Sequence, residues 1–345
     1  IGAIALVINI LVYLGMDGIL WILRVPASIK GLMKDYLWVI FLGILATFLY
    51  NYFANLLRAI GNSMVPLLFL AVSSVLNIIL DLLFVLKFHW GVGGAAGATV
   101  FSQYVSGIGI CIYAYAKVKD IRIAKQDMKW RKENLSLILN LSVMTSLQQS
   151  IMNFGILMIQ SLVNSFGIAT MAAFAAGVKI DSFAYSPAQD FANGFATFVA
   201  QNTGAGKPDR IRPVYRDCIL TVLLIGVPLC VLSTVFGPQL LSIYVSADDP
   251  ARDAVIAMGM IRTYYVTTPY FLCGIMEVCC GMVRGLGKSW LPMVVTIFGA
   301  CVMRIVWIYT IFAWKHTLPA LYVSYPISWV ITAAMHVVCF VYFWK

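Results

Sequence analysis

Ten apolar stretches decide what this chain can fold into. They run approximately over residues 1–23, 38–57, 64–86, 92–116, 135–163, 166–200, 218–244, 254–282, 290–314 and 318–344. Each is near or above the roughly 20 residues that a helix needs to cross a bilayer core of about 30 Å. Gly and Pro inside them are ordinary in membrane helices, where neighbouring groups re-satisfy the backbone. Of the 345 residues 61% are hydrophobic and 11% charged, and the mean hydropathy is +0.90. A water-soluble domain could not cover that much apolar surface. The expected fold is an all-α polytopic membrane protein.

The stretches are not independent. Arg58-Ala-Ile-Gly-Asn-Ser-Met-Val-Pro66 returns 226 residues later as Arg284-Gly-Leu-Gly-Lys-Ser-Trp-Leu-Pro292, with Arg, Gly, Ser and Pro in register. Arg24-Val-Pro26 and Asp248-Asp249-Pro250 give a weaker second match at an offset of 224. A repeat of this length is a helical bundle rather than a solenoid unit. In that register the first span pairs with the seventh, and the fifth and sixth have no counterpart. The expectation is therefore two lobes, with four spans in residues 1–116 and six in 135–345, drawn from a parent with six plus six. Residues 117–134, the longest polar stretch, read as a basic cytoplasmic linker between them.

The net charge of +10 could suggest nucleic acid, but its placement points to a membrane orientation. Loops taken alternately carry fifteen Lys and Arg on one side and six on the other, and the positive-inside rule makes the richer side cytoplasmic. Only Lys179, Arg262 and Arg304 fall within spans. The eight cysteines lie in or beside apolar spans and form neither a disulfide framework nor a zinc spacing. Small residues at Gly91–Ala98 open the fourth span and permit close helix approach. Their loose GxGxxA pattern follows a membrane span, not a strand, so no dinucleotide site is read from it. No Ser/His, HExxH or paired-aspartate motif supports a membrane-embedded enzyme.

Polar residues inside spans need a reason, since a charge at the bilayer centre costs at least about 2.5–3.5 kcal/mol. Asn77 and Asp81 are four apart, hence on one helix face. Alternating topology puts Tyr36, Asn77, Asp81 and Thr99 at similar depth in the outer half of the first lobe. A carboxylate, an amide, a hydroxyl and a phenol make a site for a proton, or for Na⁺ at Asn77, Asp81 and Thr99, since oxygen ligands suit a hard cation. At the repeat offset the second lobe carries Arg262, Met303 and Trp307 where the first has Tyr36, Asn77 and Asp81. The scaffold is thus kept in both copies while the polar cluster is not. In the second lobe Lys179 and Asp181, two apart and on nearly opposite faces, are cavity candidates together with Gln148, Gln149, Asn153 and Glu277. Arg304 requires a partner that its position does not name. The three or four carboxylates outnumber the cavity cations Lys179 and Arg304, which favours a cationic cargo.

The pattern Arg58…Gly61…Pro66…Asn77…Asp81…Gly94-Ala-Ala…Ala98-Thr99 resembles the multidrug and toxic compound extrusion (MATE) transporters. Phe198-Val-Ala-Gln-Asn-Thr-Gly-Ala-Gly-Lys207 and Arg284-Gly-Leu-Gly-Lys-Ser289 carry the same likeness, which covers essentially the whole chain. The resemblance implies two pseudo-symmetric lobes around a central cavity, and H⁺- or Na⁺-coupled export of amphipathic, often cationic molecules by alternating access. It also implies that residues matching Tyr36, Asn77, Asp81 and Thr99 line the cation site. Their expected companion, an aspartate on the family's first helix, has no match in this sequence. No cofactor beyond the coupling ion, no nucleic-acid partner, a monomer and a multi-pass place in the cell (inner or plasma) membrane complete the expectation. A flippase for lipid-linked or polysaccharide cargo is the alternative, favoured if the cavity is more basic than acidic.

Overall fold

A computed structural model describes residues 2–22, 27–118 and 131–344. Every one of the ten apolar stretches is helical in it. The chain divides into two compact units, residues 1–130 and 131–345. Most of the expected linker, and the Arg24-Val-Pro26 match, lie outside the described residues.

The first unit holds α1 (Gly2–Leu14), α2 (Met16–Ile22), α3 (Ala27–Ala59), α4 (Met64–Asp81) and α5 (Gly91–Lys117). α4 continues directly into a π-helical turn, Leu82–Lys87, closed by Phe88 N–H donating to the Leu83 carbonyl at 3.0 Å. α3 packs along α5, and Gly107 sets the spacing: a Cβ there would stand 2.8 Å from the Ala46 carbonyl oxygen. Backbones approach this closely in lipid only where the side chain is absent. Ala96 and Ala98, from the small-residue run that opens α5, are fully buried.

The second unit holds α6 (Lys132–Asn164), α7 (Ile168–Gly204), α8 (Ile211–Val235), α9 (Gly237–Ser242), α10 (Arg252–Arg262), α11 (Phe271–Gly285), α12 (Trp290–Thr296), α13 (Met303–Trp307), α14 (Leu318–Tyr322) and α15 (Ser324–Trp344). Non-α turns join several of these into longer rods. Residues 263–270 link α10 to α11, and a π turn at Ile297–Val302 links α12 to α13. A second π turn, Ile308–Phe312, prolongs α13. α11 lies at the centre of the unit, where Gly281 and Gly285 press on the Ala192 and Ala196 carbonyls of α7.

Among the described residues eight rods are long and apolar enough to cross a membrane. α7, at 37 residues, is long enough as well, but Lys179, Asp181 and Asp190 lower its apolarity. The first stretch is two short helices with a turn at Gly15.

The sequence repeat is also a repeat of backbone geometry. Gly61 and Gly287 both adopt the left-handed region, with φ of +87° and +78°. Each donates its N–H, at 3.0 Å, to the carbonyl of the Arg that opens its motif, Arg58 or Arg284. Glycine is the residue that ends a helix this way without strain. Ser63 and Ser289 then start the next helices, and Pro66 and Pro292 are buried in their first turns.

Candidate functional sites

In the first unit Ser73, Asn77 and Asp81 form one polar stripe on α4, at spacings of four. The stripe faces α5. Ser73 Oγ donates to the Ser102 carbonyl at 2.8 Å. Asn77 Nδ2 donates to Thr99 Oγ1 at 3.4 Å, a long bond, and Thr99 Oγ1 donates in turn to the Ala95 carbonyl at 3.1 Å. Asp81 stands one turn further on, as the last α residue before the π turn. Its Oδ1 is sealed from solvent and accepts no hydrogen bond. A buried acceptor with no donor costs about 1–3 kcal/mol, so this oxygen is the one atom of the stripe whose partner the described residues do not supply. Tyr36 is half-buried on α3 and makes no hydrogen bond to the group. The structure thus joins Asn77 to Thr99, sets Asp81 beside them on the same face, and leaves Tyr36 outside the hydrogen bonding.

The second unit holds an open cavity of about 310 Å³. Gln149 and Asn153 of α6, Tyr185 and Gln189 of α7, and Glu277 of α11 supply polar lining. Tyr270, Tyr325 and Trp329 form an aromatic wall, with Trp329 edge-on to both tyrosines.

Asp181 anchors one side. Its Oδ2 accepts from Arg262 Nη2 at 2.6 Å and its Oδ1 from Thr267 Oγ1 at 2.7 Å. Both side chains of this ion pair are almost wholly buried, 8% and 4% exposed. The Arg262 guanidinium also lies 5.0 Å from the Phe174 ring. Gly177 makes room for it, since a Cβ there would meet Nη1 at 2.6 Å. Sequence reasoning flagged Arg262 as a cation within a span but did not join it to Asp181. The usable signal was that two opposite charges, each within a span, both needed partners.

Two expected cavity residues are elsewhere. Lys179 is exposed and does not line the cavity. The two-residue offset that separates it from Asp181 turns it to the other face of α7. Gln148 is buried between helices instead. It donates to Thr296 Oγ1 at 3.1 Å and accepts from Arg284 Nη2 at 3.4 Å. Its neighbour Gln149, rotated by about 100° on the helix, takes the cavity side. Arg284, in the last turn of α11, thus reaches inward to brace α6 against α11.

Among the described residues Arg304 has no carboxylate partner. Its Nε and Nη2 donate to Ser328 Oγ at 3.1 and 2.9 Å, and its guanidinium lies 4.2 Å from the Tyr325 ring. It lines the cavity. The cavity's charged residues are therefore Asp181 and Glu277 against Arg262 and Arg304. Lys179 and the exposed Asp190 do not line this second-unit cavity, whereas Arg262 does. Among the described residues no group of three or more His, Cys, Asp or Glu could hold a metal ion.

The MatE family model matches residues 1–83 and 143–310 of this chain. Probable multidrug resistance protein YpnP of Bacillus subtilis is 30% identical over 287 residues, covering 83% of this chain and 63% of its own length. The chain spans 60–63% of the length of the first curated relatives it matches. Among solved structures, a mutant of the Vibrio cholerae MATE transporter VcmN superposes with a TM-score of 0.89 at 20% identity, over 99% of this chain and 76% of that one. A MOP superfamily transporter from Pyrococcus furiosus gives 0.88 at 20%, with the same coverage. At such identities these two structures speak for the fold alone.

Proposed function

Since the chain belongs to the MatE family, we propose that it works as a cation-coupled antiporter of the cell membrane. It exports amphipathic small molecules against inward flow of H⁺ or Na⁺ by alternating access, acting as a monomer. The observation that carries this reading is the Asp81 oxygen, sealed and without a donor, on the same helix face as the Asn77–Thr99 contact. That oxygen lacks a protein donor, so a bound positive ion would supply the partner it is missing. Loading and unloading of that ion then biases two conformations differently. The cargo and the ion need not touch, because coupling is a difference in affinity between states. Asn77 and Thr99 orient the carboxylate, and Tyr36 enters the group in the loaded state.

The test is Asp81→Asn, measured as ethidium efflux from everted membrane vesicles under separately imposed pH and Na⁺ gradients. The expected outcome is normal insertion with efflux at the level of vesicles lacking the protein. Undiminished gradient-driven efflux would remove Asp81 from the mechanism.

A flippase for lipid-linked or polysaccharide cargo is a second reading. The second-unit cavity holds two acidic and two basic side chains, short of the basic excess this reading requires, and Arg304 is the residue in it that would meet a phosphate. The Pyrococcus furiosus transporter is described as having a binding pocket of reverse polarity that suggests a different function.

A further inference from the structure

Four charged side chains line the second-unit cavity, and only two of them answer each other. Asp181 and Arg262 form a closed ion pair at 2.6 Å. Arg304 and Glu277 line the same cavity, and among the described residues neither is in a salt bridge. Among the described residues neither has an oppositely charged group within 4.0 Å, so they are also further than that from each other. Ser328 and the Tyr325 ring orient the Arg304 guanidinium, but neither carries a formal charge to neutralise it. Among the described residues Glu277 makes no hydrogen bond, and the charge that acts on it is that of Arg284, beyond salt-bridge distance. The cation nearest to it along α11, Arg284, spends its Nη2 on Gln148 and Cys280, both at 3.4 Å. An unpaired charge of either sign is expensive inside a membrane protein.

A singly charged ligand would leave one of the two unanswered. A molecule bearing both an ammonium and a carboxylate would answer both. The aromatic wall of Tyr270, Tyr325 and Trp329 suits a flat apolar body attached beside the two charged groups, as in an aromatic α-amino acid. A volume of about 310 Å³ falls at the small end of ligand pockets, so that body has one or two rings.

Resting on the reading of this chain as an exporter, we propose that the second-unit cavity is a zwitterion site. Arg304 receives the carboxylate in its planar fork and Glu277 receives the ammonium. The Asp181–Arg262 pair is the fixed, neutral wall beside them.

The experiment is calorimetric titration of the purified protein in lipid nanodiscs with three probes of one shape. They are 2-naphthylalanine, its methyl ester, which keeps only the cation, and its N-acetyl derivative, which keeps only the anion. The zwitterion should bind at least about tenfold tighter than either blocked form, the scale of a charge-assisted hydrogen bond. Arg304→Gln should abolish the preference over the methyl ester, and Glu277→Gln the preference over the N-acetyl form. Arg304→Lys should restore part of what Arg304→Gln loses. Equal affinity for all three probes, or no binding, in the wild-type protein would overturn the proposal. So would an Arg304→Gln variant that weakens zwitterion and ester in the same proportion, which marks a scaffold role. If Arg304→Gln does not give a monodisperse protein, the wild-type series and Glu277→Gln decide alone. A clear zwitterion preference without gradient-driven efflux would sink the exporter reading and leave this site standing. Efflux without the preference would do the reverse.

Discussion

The rod that begins at Met64 and the rod that begins at Trp290 are the same device finished in two ways. Each follows a left-handed glycine, each buries a proline in its first turn, and each passes into a π turn at the same register position, Leu82 and Ile308. The residue just before that turn is Asp81 in one and Trp307 in the other. Trp307 closes its site, with Nε1 donating to the Ala320 carbonyl at 2.7 Å. Asp81 leaves its site open, with a sealed oxygen that accepts nothing. One backbone therefore supports a completed lock in one copy and unmet chemistry in the other. In the second unit the buried charge sits instead at Arg262, in the register of Tyr36, and there it is matched by Asp181.

That contrast can be broken by mutation. The largest expected effect is on the closed pair. Asp181→Ala leaves Arg262 buried and uncompensated, which should lower the free energy of unfolding by about 3–5 kcal/mol. Thermal unfolding in detergent would show it, whereas Asp81→Asn, which removes an unanswered charge, should not lower the midpoint. A strongly destabilised Asp81→Asn would mean that the two carboxylates do the same structural job.

Next come the paired glycines. Gly61→Ala and Gly287→Ala each place a Cβ on a left-handed backbone, at about 1–2 kcal/mol. The two losses should agree within error, and a marked inequality would show that the copies carry different loads. The smallest effect belongs to Trp307→Phe, which leaves the Ala320 carbonyl without its donor at about 1 kcal/mol. Hydrogen exchange around Ala320 should rise there and remain unchanged in the first unit.

Much of this architecture was legible from the residues alone. Apolar run length marks membrane helices because the bilayer forbids most other backbones. The Arg-x-x-Gly-x-Ser-x-x-Pro repeat marks two equivalent corners because only glycine accepts that φ cheaply. The spacing of Asn77 and Asp81 put them on one face, and Thr99 does meet Asn77 across the helix interface. Hidden were the partners brought in by tertiary packing. Asp181 and Arg262 are 81 residues apart, and no local period connects them. Helical geometry correctly separated Lys179 from Asp181, but it could not say which of the two would face the protein. For the adjacent Gln148 and Gln149 the choice rests on which neighbour, α12 or the cavity, occupies each side. The π turns were invisible as well, since no short-range signal in either sequence distinguishes them from ordinary helix.

Each of those π turns gives its rod one surplus residue in the spiral. An α-helix advances about 100° per residue, so the extra unit is an angular offset built into the rod between Asp81 and the Phe88–Trp90 corner. Deleting one residue from 82–87 would let the helix heal, yet everything beyond it would arrive swivelled by about that angle. Chain length at this point is therefore an aiming parameter. Homologues that differ here by a single insertion would present their outer corners on different bearings while keeping the same number of spans.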